Sequence, residues 1–360
     1  MSTWGLLGHD SDARAFCGSH QAGRLVHSYL ITGTPAIGRR TFAIRMAQQL
    51  RCQCDGPPCL ACSSCQAVAP DAPFWRTAVR RDHPHEIPDA APRRDRVEER
   101  YVLTSYFDVA VLRKRDGHRD IPIRGVRELV AESHLKPAQG RARVSVIDAA
   151  EELSVPAANA LLKTLEEPAS HAVLILIAQR VGDVLPTIVS RCRHISLTPV
   201  AACLIAAHLV REHDADPDVA SLIAVASRGR PGWAIRMVSD PSRWQAYTER
   251  CAAAEEFERS SPSDRFLAVE DLVGRGRAVQ QSKQASSWLE KISCVQAGEL
   301  RAAMRDQTVP WSPEATGTLS AVVARMMQVR SAQLDLQRNV TPRVVLEDLA
   351  MRPTGDVDAT

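Results

Sequence analysis

The sequence predicts an α/β domain built on a parallel sheet, followed by an all-α remainder, and three observations carry that reading. Short apolar runs alternate with helix-period stretches over the first 197 residues. One of those runs, Ala172 to Ala178, is apolar without a break. From about Arg243 onward strand patterning is almost absent. An unbroken apolar run suits a central parallel strand covered on both faces, whereas a strand with one wet face alternates.

In chain order, His27 to Thr32 reads as a short buried strand that ends at Gly33. From Thr41 to Leu50, Phe42, Met46 and Leu50 recur at i, i+4 and i+8, one stripe of a helix. This is strand, glycine loop, helix. Arg143 to Ile147 reads as a second strand, ending at Asp148. Pro156 to Glu167 carries Ala158, Leu161, Leu162 and Leu165 at helical spacing until Pro168 stops it. Between these elements, Pro70 to Asp120 departs in composition and reads as a loop or insertion. Its second half, Tyr101 to Leu112, is rich in β-formers and has the pattern of a hairpin. His83 and His85 there read as solvated loop residues rather than ligands. After Leu197 the chain turns helical, with breaks at Ser227–Gly232 and Ser239–Ser242 and a polar tail from Pro353 that reads as frayed. The boundaries are 1–197 for the α/β domain, 198–242 for a small helical domain and 243–360 for a longer one.

With 45% hydrophobic residues in a chain of 360, the composition is that of a globular protein of two or three domains. A net charge of +3 is too small to argue by itself for a nucleic-acid surface. The opening Met-Ser-Thr-Trp-Gly-Leu-Leu-Gly lacks a charged n-region and an apolar h-region, and no stretch is long enough to span a bilayer. The expectation is therefore a cytoplasmic chain with no membrane partner and with reduced thiols.

Reduced thiols at metal-ligand spacing point to zinc. Cys59, Cys62 and Cys65 stand at two-residue gaps, and in C-x2-C turns both thiolates converge on one tetrahedral ion. An upstream cysteine completes a closed site. Cys52 leaves the longer loop and is preferred, with Cys54 as the alternative. The site is a small zinc module at about 52–65, and a closed four-thiolate set makes its Zn2+ structural. Cys17, Cys192, Cys203, Cys251 and Cys294 are scattered and read as small core or surface residues.

One helix earlier lies a phosphate-binding loop stripped of its chemistry. A P-loop needs G-x-x-x-x-G-K-[ST], in which the lysine reaches the β- and γ-phosphates and the hydroxyl holds magnesium. Here the frame Gly33 to Gly38 is intact, but Arg39 replaces the lysine and Arg40 the hydroxyl, and Thr41 comes one residue late. A broad guanidinium does not substitute for a compact ammonium in a tight phosphate nest. At the end of the second strand Asp148 is followed by Ala149, so the water-polarising carboxylate is missing. The expectation is that ATP is unbound or unhydrolysed. Binding without turnover stays open, because the loop backbone keeps its N–H donors.

The stretch 161–168, Leu-Leu-Lys-Thr-Leu-Glu-Glu-Pro, preceded by Ala157-Ala-Asn-Ala160 and joined by Ser190-Arg191-Cys192, resembles the AAA+ subunits of bacterial clamp loaders. The cysteine cluster after the loop helix is similar to theirs. Ser227–Gly232 resembles their lid segment, and Asn339–Arg343 with Leu346–Leu349 the last helix of their collar. The gap between the first two zinc cysteines is shorter, and 70–120 longer, than the family pattern. The resemblance implies a RecA-like AAA+ domain with a zinc module, a small helical lid and a helical collar that oligomerises. It implies a component of the DNA polymerase III holoenzyme, in a pentameric loader that opens a sliding clamp and places it on primed DNA. The partners implied are gamma/tau and delta subunits, with the clamp and primer-template DNA met through the complex. It assigns Arg191 as a finger acting in trans on ATP held by a neighbouring gamma or tau subunit. Combined with the defective loop, this describes a stator-type member without intrinsic catalysis. The alternative, an active gamma/tau-like ATPase, is opposed by Arg39, Arg40 and Ala149. A stand-alone zinc DNA-binding protein is opposed by Leu60, Ala61, Ser63 and Ser64, which offer little to a base edge.

Overall fold

Apolar runs buried on both faces form the central strands of a seven-stranded sheet in the computed structural model. The structure describes residues 4–52, 54, 56, 58–66, 68–69, 93–97, 100–106, 108–138, 142–273, 281–282, 284–286, 288–289, 291–293, 296, 313–338 and 340–352. His83, His85, Cys294 and the 353–360 tail lie outside them. The chain divides into two compact units, Met1–Ser239 and Asp240–Thr360.

In the first unit, α1 (Asp10–Gln21) precedes β1 (Ser28–Thr32), and α2 (Arg39–Arg51) follows the glycine loop. A single turn, α3 (Ser63–Gln66), carries the last cysteine of the cluster. Then come β2 (Arg93–Val97), β3 (Tyr101–Tyr106), β4 (Val109–Lys114), α4 (Ile123–Ser133), β5 (Arg143–Asp148), α5 (Val155–Glu166), β6 (Ala172–Ala178), the short α6 (Pro186–Val189) and β7 (Arg193–Ser196). The sheet order is β2-β3-β4-β5-β6-β1-β7. Strands β4, β5, β6, β1 and β7 are mutually parallel, and β2 and β3 extend the sheet antiparallel from β4. The expected strands and helices in this unit therefore form, with ends within two residues of the predicted ones.

One expectation needs correcting. The hairpin in 101–112 exists as β3 and β4, but β4 pairs in parallel with β5 from Val109↔Val144 to Arg113↔Asp148. It is a strand of the main sheet, not part of an insertion. Period-2 alternation explains the two cores. Tyr29, Ile31, Val173, Ile175 and Ile177 face one layer with Phe16, Phe42 and Met46 of α1 and α2. Leu30, Leu174 and Leu176 face the other, with Leu129, Leu161 and Leu165 of α4 and α5. Because β1 lies between β6 and β7, the loop at its carboxyl end opens where connections leave in opposite directions, the usual ligand crevice of such sheets.

Three helices complete this unit: α7 (Ala202–His213), α8 (Pro217–Ala226) and α9 (Pro231–Val238). Asp216 caps α8 by accepting from the Asp218 and Val219 amides, and Pro217 supplies a pre-set first turn. The turn before α9 requires glycine. Gly229 has φ 74°, and a Cβ there would stand 2.6 Å from the Pro199 Cβ and 2.8 Å from the Val200 backbone.

The second unit holds α10 (Pro241–Arg259), α11 (Pro262–Val273), α12 (Pro313–Gln337) and α13 (Pro342–Met351) around a core that includes Phe257, Trp288, Leu289, Val329 and Leu346. Arg325 of α12 is only 3% exposed and makes a two-point pair with Glu258, Nη2 to Oε1 at 3.0 Å and Nε to Oε2 at 3.1 Å. Its Nη1 donates to the Leu349 carbonyl, while Arg265 Nη1 donates to that of Arg352. Both arginines thus satisfy carbonyls at the end of α13. Among the described residues no helix is long and apolar enough to cross a membrane. Glu258→Ala strands a buried guanidinium and is expected to cost about 3–5 kcal/mol, with Glu258→Gln costing less, read from chemical denaturation of the full chain.

Candidate functional site: a glycine loop beside an arginine–aspartate pair, and a cluster of cysteines

The glycine loop keeps its shape. Gly33 sits at φ 153°, where a Cβ would meet the Leu197 carbonyl oxygen at 2.9 Å, and its amide donates to the Gln179 carbonyl at the end of β6. Ala36 and Gly38 also take positive φ, 64° and 111°. The first turn of α2 then points two guanidiniums at the sheet end. Arg40 Nη2 pairs with Asp148 Oδ2 at the end of β5, and Arg113, from the end of β4, places Nε 3.6 Å from the same oxygen. Burial pushes the Arg113 guanidinium down to about 10, with the like charge of Arg40 adding to this and Asp148 opposing it. Burial also lowers Arg39, with Glu151 and Asp148 pulling the other way. Glu151 in turn is raised by burial, and its Oε2 is a buried acceptor without a hydrogen bond among the described residues. Ala149 sits at φ 72° with only a methyl group.

In a working site of this type a strand-end aspartate binds magnesium. Here the same carboxylate binds cations that belong to the chain. The sequence pointed to Arg39, Arg40, Thr41 and Asp148 but missed Arg113, which lay in the stretch read as an insertion. It also missed Glu151, which no motif marks. The loop is covered from the other side: the Gly232 amide at the start of α9 donates to the Ala36 carbonyl at 3.0 Å, and a Cβ on Gly232 would stand 3.0 Å from that oxygen.

Cys52, Cys59, Cys62 and Cys65 place their four Sγ atoms all within 4.8 Å of one another, a set able to hold a metal ion. Thiolates bound at about 2.3 Å to one tetrahedral ion lie about 3.8 Å apart, so the donors fit. Cys52 ends α2, its amide donating to the Gln48 carbonyl. Cys65 is buried on α3. The Cys62 amide donates to Cys59 Sγ at 3.3 Å, and this N–H, then that of Ala61, hold the exposed Cys59 thiol down to about 6. Burial pushes Cys65 up. Cys54 is exposed and is not one of the four; the adjoining Cys59 and Cys52 thiols hold it up to about 12. Two buried side chains missed in the sequence anchor the loop: Gln48 Nε2 donates to the Cys65 carbonyl at 2.7 Å, and Gln49 Nε2 to that of Gly56 at 2.9 Å. Both lie on α2 among buried apolar residues such as Ile44, Met46 and Leu50, which is the signal that would have found them.

Arg191 lies just past α6, 37% exposed, with Nη2 at 2.6 Å from Glu166 Oε1 and Nη1 donating to the Thr187 carbonyl at 3.0 Å. Cys192 is partly buried, its thiol pushed up to about 12 by burial.

A mostly parallel sheet with a glycine loop at its switch point, a four-cysteine cluster one helix later and a strand-end aspartate paired with Arg40 define an α/β domain with a glycine loop. The chain belongs to the DNA polymerase III delta-prime clamp-loader family: the family model described as DNA polymerase III, delta subunit matches residues 8–201, more than half of it. It is 33% identical over 168 residues to the DNA polymerase III subunit delta' of Pseudomonas aeruginosa, covering 46% of this chain and 41% of that one. To the delta' subunit of Yersinia pestis it is 29% identical over 252 residues, 68% and 64% of the two chains. To the DNA polymerase III subunit gamma/tau of Mycobacterium tuberculosis it is 31% identical over 176 residues, 48% and 24%. The match thus spans less than two thirds of each of these relatives.

Asp148→Ala is expected to cost about 2–3 kcal/mol, because Asp148 faces the largely buried Arg113; Arg40→Ala, at the exposed side, less than about 1 kcal/mol, both read from denaturation midpoints of the full chain.

Proposed function

We propose that this chain is a non-hydrolysing, stator-type subunit of a DNA polymerase III clamp loader. In this reading it lends Arg191 in trans to an ATP held by a neighbouring gamma or tau subunit while a sliding clamp is loaded on primed DNA. The observation that carries the first half is the Arg40–Asp148 pair, with Arg113 beside it, in the place where a strand-end carboxylate would hold magnesium. Family likeness alone does not separate this reading from an active gamma/tau-like subunit, since relatives of both names match at similar identity. The chemistry favours the stator. Arg39, Arg40 and Ala149 are three independent losses in one site, and Arg39→Lys would restore only one of them.

The second half rests on Arg191, an exposed guanidinium at the exit of a domain with no use for a finger of its own. A guanidinium delivered to a neighbour's γ-phosphate donates two charge-assisted bonds as charge builds up in the transition state. The gamma/tau and delta subunits are the proposed partners, in the cytoplasm, with clamp and DNA met through them. The region 1–197 would be the AAA+ domain, 198–242 its lid and 243–360 the collar. The four cysteines would hold one structural Zn2+, whose part is to fix the 52–65 loop against α2.

Three measurements test the proposal. The purified chain is expected to show no ATP turnover, and Arg39→Lys none either; turnover abolished by Arg39→Ala would instead establish an ATPase. In an assembly reconstituted with gamma/tau and delta subunits, Arg191→Ala should lower clamp- and DNA-stimulated ATPase roughly tenfold or more without loss of assembly, and Arg191→Lys should rescue poorly. A wild-type rate in Arg191→Ala removes the trans role. Elemental analysis should find one zinc per chain, lost in Cys52→Ser and kept in Cys54→Ser; absence of zinc from the unaltered protein refutes the site.

A further inference from the structure

We infer that Glu166 is the positioning residue for Arg191, fixing the guanidinium before any neighbour's phosphate arrives; the inference rests on the trans role proposed above. Arg191 does not project freely from the surface. Its Nη1 donates to the Thr187 carbonyl at 3.0 Å and to Ser190 Oγ at 3.3 Å, and its Nη2 lies 2.6 Å from Glu166 Oε1. The first two acceptors belong to the same short turn as the arginine and move with it. Glu166 does not: it is the last residue of α5, a helix whose Leu161 and Leu165 are packed in the core against the sheet. The carboxylate therefore ties the finger to the rigid part of the domain.

Proton counting shows that this tie does not consume the finger. A guanidinium has five N–H groups. Both on Nη1 donate, and Nη2 lies beside Glu166 as an ion pair, which leaves the Nε and Nη2 donors without a hydrogen bond among the described residues. Two donors remain for the oxygens of a phosphate. Among the described residues the Glu166 carboxylate has no partner except Arg191, and it is 51% exposed, so it stabilises nothing else in the fold. An untethered arginine must surrender its rotamer freedom when it meets the phosphate, whereas a tethered one has already done so. The carboxylate acts on the bound-state rate and leaves the affinity of the neighbour's site for ATP alone.

The test uses the reconstituted assembly, with ATP as the varied substrate. Glu166→Ala should lower the stimulated kcat by roughly three- to tenfold with KM for ATP unchanged, and Glu166→Gln, which keeps an acceptor oxygen, should lose less. The double variant Glu166→Ala/Arg191→Ala should be no slower than Arg191→Ala alone, since a residue that works through Arg191 has nothing left to position. Equal thermal midpoints for Glu166→Ala and the unaltered chain establish that the loss is not one of folding. A rise in kcat for Glu166→Ala would show that the pair retracts the finger, and an unchanged kcat or losses that add in the double variant would show that Glu166 does not act through Arg191; each overturns the inference. If Arg191→Ala itself has no effect, the trans role fails first, and that result is distinct from any of these.

Discussion

The carboxylate of Asp148 holds together the part of the molecule on which everything else is arranged. It ends β5, and its oxygen receives Arg40 from the first turn of α2 and faces Arg113 from the end of β4. α2 is thus joined at its polar end to the paired strands β4 and β5, which it otherwise meets through apolar packing. Two guanidiniums around one carboxylate leave a local excess of positive charge, and the half-buried Glu151 and Arg39 beside it add one charge of each sign without cancelling it. A bound magnesium ion would have supplied the same neutralisation from solution. Here the neutralising cations are covalently part of the chain.

Much of the first unit was legible because its strands are covered on both faces and its helices carry one apolar stripe. Ala172 to Ala178 has the unbroken apolar pattern of a central strand, and Phe42, Met46 and Leu50 fix the face of α2. What sequence hid was β4. Val109 to Lys114 follows a polar stretch of atypical composition, and a hairpin pattern does not say that one of its strands goes on to pair in parallel with β5. That pairing joins residues more than thirty positions apart, and local periodicity carries no trace of it. Arg113 was lost with its strand.

The cysteines were legible for a different reason: spacing alone makes Cys59, Cys62 and Cys65 converge, and the structure adds Cys52 to them rather than Cys54. What spacing does not give is the support. Gln48 and Gln49 are buried polar residues on the face of a helix that otherwise reads as core, and they bond to carbonyls of the cysteine loop. Likewise Glu166 sits in the run that carries the family resemblance, yet its contact with Arg191 bridges two elements that sequence treats separately.

The direct bond from the Gly232 amide to the Ala36 carbonyl bears on how the molecule answers to its surroundings. In a nucleotide-driven subunit the phosphates are the third body between loop and lid, and their presence or loss sets the hinge angle. A ligand shifts a conformational balance only by the difference in its affinity for the two states. Here the loop and α9 already touch through the backbone, so any ligand entering between them meets a contact that the polypeptide itself makes.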